Sequence, residues 1–298
     1  MHNKYMAFVT AAQLQSFTKA AEVLGYTQSG MSHLIMALED ELDLKLFVRS
    51  KNGVQLTREG TRLFPYVKRL LDAQQDVMDI ARAMLGVETG QIRVGTFSSI
   101  AISCLPQILQ GFRQRFPGIQ VTVQSGNYAE VEQALAENTV DCGFVSLPSR
   151  QGFMVTPLVK DRLIAIVSDK SALADEKVLN PCMLTSMPFI MPAEGVHYDI
   201  GKIFASVGVA PTVRFEMGDD FAAVAMVRHG LGITVLPELM TKSLPQDECL
   251  RFIPLEDSER EIGIAVSAGR QTSPAVRAFV EYVKENIADV IAASGEEK

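Results

Sequence analysis

Residues 27–42 read Thr27-Gln28-Ser29-Gly30-Met31-Ser32-His33-Leu34-Ile35-Met36-Ala37-Leu38-Glu39-Asp40-Glu41-Leu42, and the two sides of this stretch differ in chemistry. Met31, Leu34, Ile35, Leu38 and Leu42 recur at helical spacing and make an apolar face. Gln28, Ser29, Ser32, His33 and Met36 fall on the other side, and Thr27 is a good N-cap. The spacing predicts a helix over 28–42. Just before it, Ser16 or Thr18 caps a shorter helix over 18–24, with Ala20, Ala21 and Leu24 inward and Gly25 as its stop. Tyr5, Phe8, Val9 and Ala12 precede both as one more amphipathic helix. Two short helices joined by a tight turn, the second with a polar outer face, make a helix-turn-helix. In that unit the second helix enters the major groove. Gln28 suits adenine, and Ser32 and His33 suit base or phosphate contacts. Taken alone, the pattern also fits the solvated face of a small helical domain.

The next residues favour DNA. Residues 47–57 read as strand, turn, strand, with Asn52-Gly53 at the turn, a strong hairpin signal because both residues tolerate positive φ. A hairpin directly after a helix-turn-helix is a wing, and Arg49 and Lys51 at its tip are placed to lie along the sugar-phosphate backbone. The charge distribution agrees. The chain has 298 residues and a net charge of −7, yet 44–69 holds seven basic residues against Glu59 alone. From residue 88 onward acidic residues outnumber basic ones by 26 to 18. One module is built to meet phosphate and the rest is not.

From about Arg58 to Leu85 the pattern is a long helix. Leu63, Val67, Leu70, Gln74, Val77, Ala81 and Met84 alternate spacings of four and three, a seam for pairing with another helix. Pro65 sits near its start. Pairing suits a DNA reader, since two half-sites then set each other's spacing.

These residues carry a family resemblance. The run from Ser16 to Glu22, then Thr27 to Ser32, then Leu38-Glu39, Leu46-Phe47, Arg49 and Leu56-Thr57-Arg58-Glu59-Gly60 resembles the signature of LysR-type bacterial transcription regulators. The resemblance spans the whole chain and is sharp to about Leu85. It implies an α+β protein overall: an N-terminal winged helix-turn-helix, a long dimerising linker helix, and a C-terminal α/β effector domain of two subdomains, like a periplasmic binding protein. The corresponding divisions are 1–58, 59–90 and 91–298. Within the last, subdomain 1 is 91–161 with 267–298, subdomain 2 is 162–266, and the chain crosses between them near Asp161 and Ser267. Gln28, Ser29 and Ser32 match the family. Where the family usually carries a basic residue at 33, a polar one at 34 and often a basic one at 36, this chain has His33, Leu34 and Met36, so its recognition helix is poorer in charge.

After a hinge at 86–90 the chain alternates apolar strands (92–97, 119–124, 142–146, 163–168, 189–191, 213–216, 233–236 and 262–267) with helices (102–116, 129–138, 199–207, 221–229 and 274–287). That alternation means α/β with largely parallel sheets, whose ligands sit beyond the strands' carboxyl ends. Three such ends are rich in small polar residues: Ser98-Ser99, Ser125-Gly126-Asn127 and Ser146. Each serine by itself fits plain helix capping, and their coincidence favours a pocket. By the family likeness, facing residues come from 192–197 and 218–219, which adds Glu194, His197 and Asp219. These loops hold no basic residue, so the helix starts favour a small polar effector, an anion before a cation, with His197 as a charge if protonated. Glu194 and Asp219 would reverse that sign.

Other functions fit less well. There is no Gly-x-Ser-x-Gly elbow, no His-Glu-x-x-His and no phosphate loop, so no enzyme is expected. A transporter's solute-binding protein would match the last two hundred residues, but the start of the chain does not read as a signal peptide and no stretch is apolar enough to span a bilayer. Cys104, Cys142, Cys182 and Cys249 lack zinc or redox spacing and read as reduced, buried small residues. No metal or cofactor is expected. The expected partners are double-stranded promoter DNA, a small polar metabolite, a second or further copies of the chain as homodimer or homotetramer, and RNA polymerase. The expected setting is the cytoplasm, away from membranes.

Overall fold

The computed structural model describes residues 1–50, 53–84, 89–192, 195–245, 247–268 and 272–293. The expectations for Lys51, Asn52, Glu194, the hinge at 86–88 and the tail at 294–298 therefore lie outside the described residues. The chain forms two compact units, Met1–Val87 and Glu88–Lys298.

The first unit packs α1 (His2–Leu14), α2 (Phe17–Leu24) and α3 (Gln28–Leu42) around Phe8, Met31, Ile35 and Leu38. Ser16 caps α2 through the Lys19 amide, and Gly25, at φ +70°, turns the chain out of it. Thr27 Oγ1 accepts the Gly30 amide at 3.1 Å and starts α3 where the spacing predicted. The wing is β1 (Phe47–Ser50) paired antiparallel with β2 (Gly53–Leu56).

Glu39 explains how the wing is held. It lies on the buried side of α3, and its carboxylate accepts the amides of Leu46 (2.7 Å) and Phe47 (3.2 Å) and the Lys45 ammonium (2.8 Å). Burial pushes its carboxyl up, and these three donors outweigh burial, so its pKa is lowered from 4.5. Glu39→Ala leaves two amides without their acceptor and should loosen α3 and β1 by about 3 kcal/mol. Hydrogen exchange of those amides reads the change. The native contribution is present above pH 4.5, the unfolded value, and fades as pH falls through the lowered folded pKa. Glu39→Gln keeps an acceptor and should remove that acid dependence with a smaller loss.

The Thr57-Arg58-Glu59-Gly60 run has a related use. Thr57 donates its hydroxyl to the Lys45 carbonyl (2.7 Å) and accepts the Gly60 amide (2.9 Å), capping α4 (Arg58–Met84). A Cβ at Gly60 would collide with the Leu46 carbonyl, so only glycine lets the helix start this close to the wing. The first part of α4 packs on this unit's own core through Leu63, Phe64, Val67 and Leu71. From Leu70 to Ala81 the seam is uncovered: Leu70 is 51% exposed and Val77 is 65% exposed. The expected seam thus divides, its first turns intramolecular and the stretch from Leu70 to Ala81 open.

The second unit is built on a six-stranded sheet of order β4-β3-β5-β10-β6-β9. β3 (Gly90–Thr96) pairs in parallel with β4 (Ile119–Ser125) and β5 (Cys142–Leu147). The other strands are β6 (Phe153–Ser168), β9 (Thr234–Pro237) and β10 (Leu250–Ser267), with β7 (Pro188–Met191) and β8 (Thr212–Glu216) forming a separate parallel pair. Its helices are α5 (Ser98–Ser103), α6 (Leu105–Arg115), α7 (Tyr128–Ala136), α8 (Val196–Ser206), α9 (Asp220–Arg228), α10 (Glu238–Thr241) and α11 (Pro274–Ala293). One core gathers β3, β5, α6 and α11 around Phe112, Phe144 and Phe279. Another gathers β6, β7, β9, α8 and α9 around Phe189, Phe204 and Ile166.

Four expectations need correction. Pairing is largely parallel only among β3, β4 and β5 and between β7 and β8, because β10 runs antiparallel to both its neighbours. The second crossing between subdomains is not at Ser267. β10 pairs with β6 along nearly its whole length, and its ladder breaks between Pro254 and Glu259, so the chain passes from one core to the other there, opposite Asp161. Ser267 lies at the far end, beside Phe153. The charged run 256–261 resembles a loop by composition and is strand by pairing. The helix expected over 102–116 is two helices, broken at Cys104 ahead of Pro106, whose missing N–H suits a first turn. Of the four free cysteines, Cys104 and Cys142 are buried, whereas Cys182 and Cys249 are exposed.

Candidate DNA-reading face and effector cleft

On α3 the residues expected to read DNA share one side. Gln28, Ser29, His33 and Met36 are exposed and Ser32 is half-buried, while Met31, Ile35 and Leu38 are buried behind them. The Ser29 hydroxyl lies 3.1 Å from that of Thr27, so it is partly committed to the start of the helix. Arg49 belongs to β1, and Lys51 lies in the turn outside the described residues.

In the second unit, four of the expected residues meet. Ser98, Ser99, Ser125 and Asn127 line one cavity of about 440 Å³, closed on the other side by Val196, Gly218 and Asp220. Strand ends β3 and β4 deliver the serines, as strand–helix alternation predicts. Ser146 and His197 do not join them. They line a neighbouring cavity of about 460 Å³, and Asn127 and Tyr128 form the wall between the two. His197 is exposed and its Nδ1 accepts the Gly195 amide at 3.3 Å. Asp219 is the N-cap of α9, bonded to the Ala222 amide at 2.8 Å, and is not on the lining.

The largest miss is Arg260. The loops hold no cation, but β10 places this guanidinium in the floor of the first cavity, 4% exposed. Nε and Nη2 donate to Asp161 Oδ2 at 3.0 and 2.6 Å, and Nη2 donates to Ser99 Oγ at 2.6 Å. Nη1 donates to the Tyr128 hydroxyl and lies 3.9 Å from Asp199 Oδ2. The Tyr128 hydroxyl donates in turn to Asp199 Oδ2 at 2.8 Å, and Ser146 Oγ reaches Asp199 Oδ1 at 3.4 Å. The Leu239 amide donates to the other oxygen of Asp161 at 3.1 Å. Ser99 and Ser146 are therefore members of a buried network as well as of the two cavity walls.

Burial pushes the carboxyls of Asp161 and Asp199 up, against the pull of Arg260, and pushes the Tyr128 phenol up as well. The network spans both cores: Ser99, Tyr128 and Ser146 come from one, Asp199 from the other, and Asp161 and Arg260 from the crossing strands. A signal for Arg260 was present. Ser258, Arg260, Ile262 and Ile264 have the two-residue period of one strand face, so extending the apolar strand backwards turns Arg260 inward.

A helix-turn-helix with a wing, followed by a two-core α/β domain around a polar cavity, defines a DNA-binding regulator with a ligand-binding domain. The comparisons agree. Residues 2–61 match the family model of bacterial regulatory helix-turn-helix proteins of the lysR family, and residues 86–288 match the LysR substrate binding domain. The chain is 29% identical over 280 residues to the HTH-type transcriptional regulator YvbU of Bacillus subtilis, covering 93% of this chain and 96% of that one. It is 30% identical over 277 residues to the probable HTH-type transcriptional regulator LrrA of Synechococcus elongatus, covering 92% and 93%. Full-length CbnR in complex with its target DNA shares the fold, with a TM-score of 0.69 at 20% identity over 96% of this chain and 99% of that one. The chain belongs to the LysR family of transcription regulators and is not an enzyme.

Proposed function

We propose that this regulator reads promoter DNA with Gln28, Ser29, Ser32 and His33 in the major groove and with Arg49 and Lys51 on the backbone, under control of a small polar effector in the 440 Å³ cavity. The observation that carries the DNA reading is α3 itself: its apolar side is buried at Met31, Ile35 and Leu38, and its polar side is left open at the helix's N-terminal end. The head occupies 1–58, the pairing helix 59–90 and the effector domain 91–298. The open part of the α4 seam supports a homodimer, built up to a homotetramer by family likeness, that answers to RNA polymerase in the cytoplasm. Among the described residues no helix is long and apolar enough to cross a membrane.

The division of labour is testable on an operator selected by the protein from random DNA. Gln28→Ala should weaken that site by about 1–3 kcal/mol and relax preference at one base position. Lys51→Ala should weaken all sequences alike and reduce the salt slope by about one. Equal, sequence-independent losses in both variants would place Gln28 on the phosphates instead.

A further inference from the structure

Met36 lies on the outer face of α3 beside the residues assigned to DNA, and it is the apolar member of that face. It is 51% exposed. Among the described residues it belongs neither to the head's buried core nor to the hydrophobics packed on that core.

Its place on the face is specific. Ser29, Ser32, His33 and Met36 stand at i, i+3, i+4 and i+7, the spacing of a single helical stripe. A recognition helix in the major groove presents such a stripe to the base edges. One flank of α3 is closed by α1, where Lys4 Nζ donates to the Ala37 carbonyl at 3.1 Å and to Glu41 at 2.8 Å. Asp40, exposed, follows Met36 one turn later, and its carboxylate is repelled by phosphates. Met36 is thus the last residue of the stripe that DNA can approach closely. It lies about 10 Å along the axis from Ser29, or roughly three base-pair steps.

A methionine side chain has no donor and only a weak acceptor, so it cannot tell bases apart by hydrogen bonds. The major groove offers it one apolar feature, the C5-methyl group of thymine. Against the edge of another base it would cover donors and acceptors without replacing their water. We infer that Met36 is a specificity residue that selects thymine through this methyl group, roughly three base-pair steps from the level of Ser29. The inference rests on α3 being the DNA-reading helix, as proposed above, and adds an apolar reader to the hydrogen-bonding ones.

The test uses the full chain and the operator it selects from random DNA. In separate duplexes each thymine is replaced by deoxyuridine, which removes the methyl group and keeps the base pair. Anisotropy titrations at one salt concentration compare the native chain with Met36→Ala, Met36→Leu and Gln28→Ala. Position 36 is exposed and alanine is a better helix former than methionine, so Met36→Ala keeps the fold. One thymine in each half-site should be sensitive. Its replacement should weaken the native chain about fourfold, the scale of one buried methyl group, and leave Met36→Ala unchanged. Met36→Leu, still long and apolar, should keep the sensitivity. Cytosine at that position should bind more weakly than thymine, and 5-methylcytosine should recover part of the loss in the native chain only. An operator with no methyl-sensitive thymine overturns the inference. A sensitivity that persists in Met36→Ala also overturns it, because another residue then holds the methyl group. An equal loss across all duplexes in that variant does the same, by placing Met36 on the backbone. Gln28→Ala separates this inference from the reading beneath it. If that variant relaxes preference at its own position while no thymine couples to Met36, α3 still reads DNA and only the methyl contact is wrong. If it too shows no position dependence, α3 is not the recognition helix.

Discussion

Arg260→Leu is expected to destabilise the effector domain by about 3–5 kcal/mol, the cost of stranding a buried charge after its partner is removed. Asp161 loses two charge-assisted bonds in a place that water does not reach, and Asp199 loses its nearest cation. For a domain of this size the melting temperature should fall by roughly 6–20 °C. The pH dependence identifies the cause. Burial already raises both carboxyls above 3.8, and removing the guanidinium raises them further. The folded variant then binds more protons than the unfolded chain, so its stability drops as pH rises from 3.8 through the raised folded value. The deficit relative to the native chain should shrink toward pH 4, where the stranded acids are protonated. Arg260→Leu combined with Asp161→Leu should recover part of the loss at neutral pH, since an apolar pair of similar volume often replaces a buried ion pair without penalty. A deficit that is equal at pH 4 and pH 8 would mean lost packing rather than stranded charge.

The second large effect concerns assembly. Leu70→Asp together with Val77→Asp should dissociate the proposed homodimer, because a paired seam would bury both new charges without partners. Both positions are open in the single chain, so the fold of the head should be unchanged. A single head holds one half-site, and losing the linked partner should reduce operator affinity by about 10²–10⁴-fold. Sedimentation velocity and operator titration measure the two consequences separately. Leu63→Asp is the contrast: Leu63 packs on the head's own core, so this change should melt the head rather than separate the copies. An unchanged sedimentation coefficient in the double variant would move the dimer contact elsewhere.

Periodicity carried most of the fold. α3 begins and ends where its apolar positions and Thr27 place it, and apolar runs marked part of each of β3 to β10. It stopped short where a strand leaves its core. Residues 153–160 are mostly apolar around Pro157 and residues 256–261 are a charged run, and both lie within strands because β6 and β10 pair with each other along nearly their whole length. No local signal records that pairing. The site was legible to a similar depth. Ser98, Ser99, Ser125 and Asn127 sit at strand ends, and strand ends meet around a cavity. Ser146 belongs to the network behind the next cavity, and Asp219 serves its own helix. What composition hid was Arg260, since an arginine in an acidic run reads as surface until strand parity turns it inward.

The position of β10 has a consequence for how the chain is made. It is the last strand in sequence, yet it lies between β5 and β6 in the middle of the six-stranded sheet. Ile264 pairs with Phe144, a partner synthesised 120 residues earlier. Neither core can close its sheet until nearly the whole polypeptide has left the ribosome, whereas the helix-turn-helix, complete by residue 84, is free to fold long before. Such distant pairing makes the sheet the slow step of folding. A chain that stops near residue 250 would carry a finished DNA-reading head on an effector domain with both halves unfinished. Any shortened product of this gene is therefore a candidate for binding operators without being able to respond.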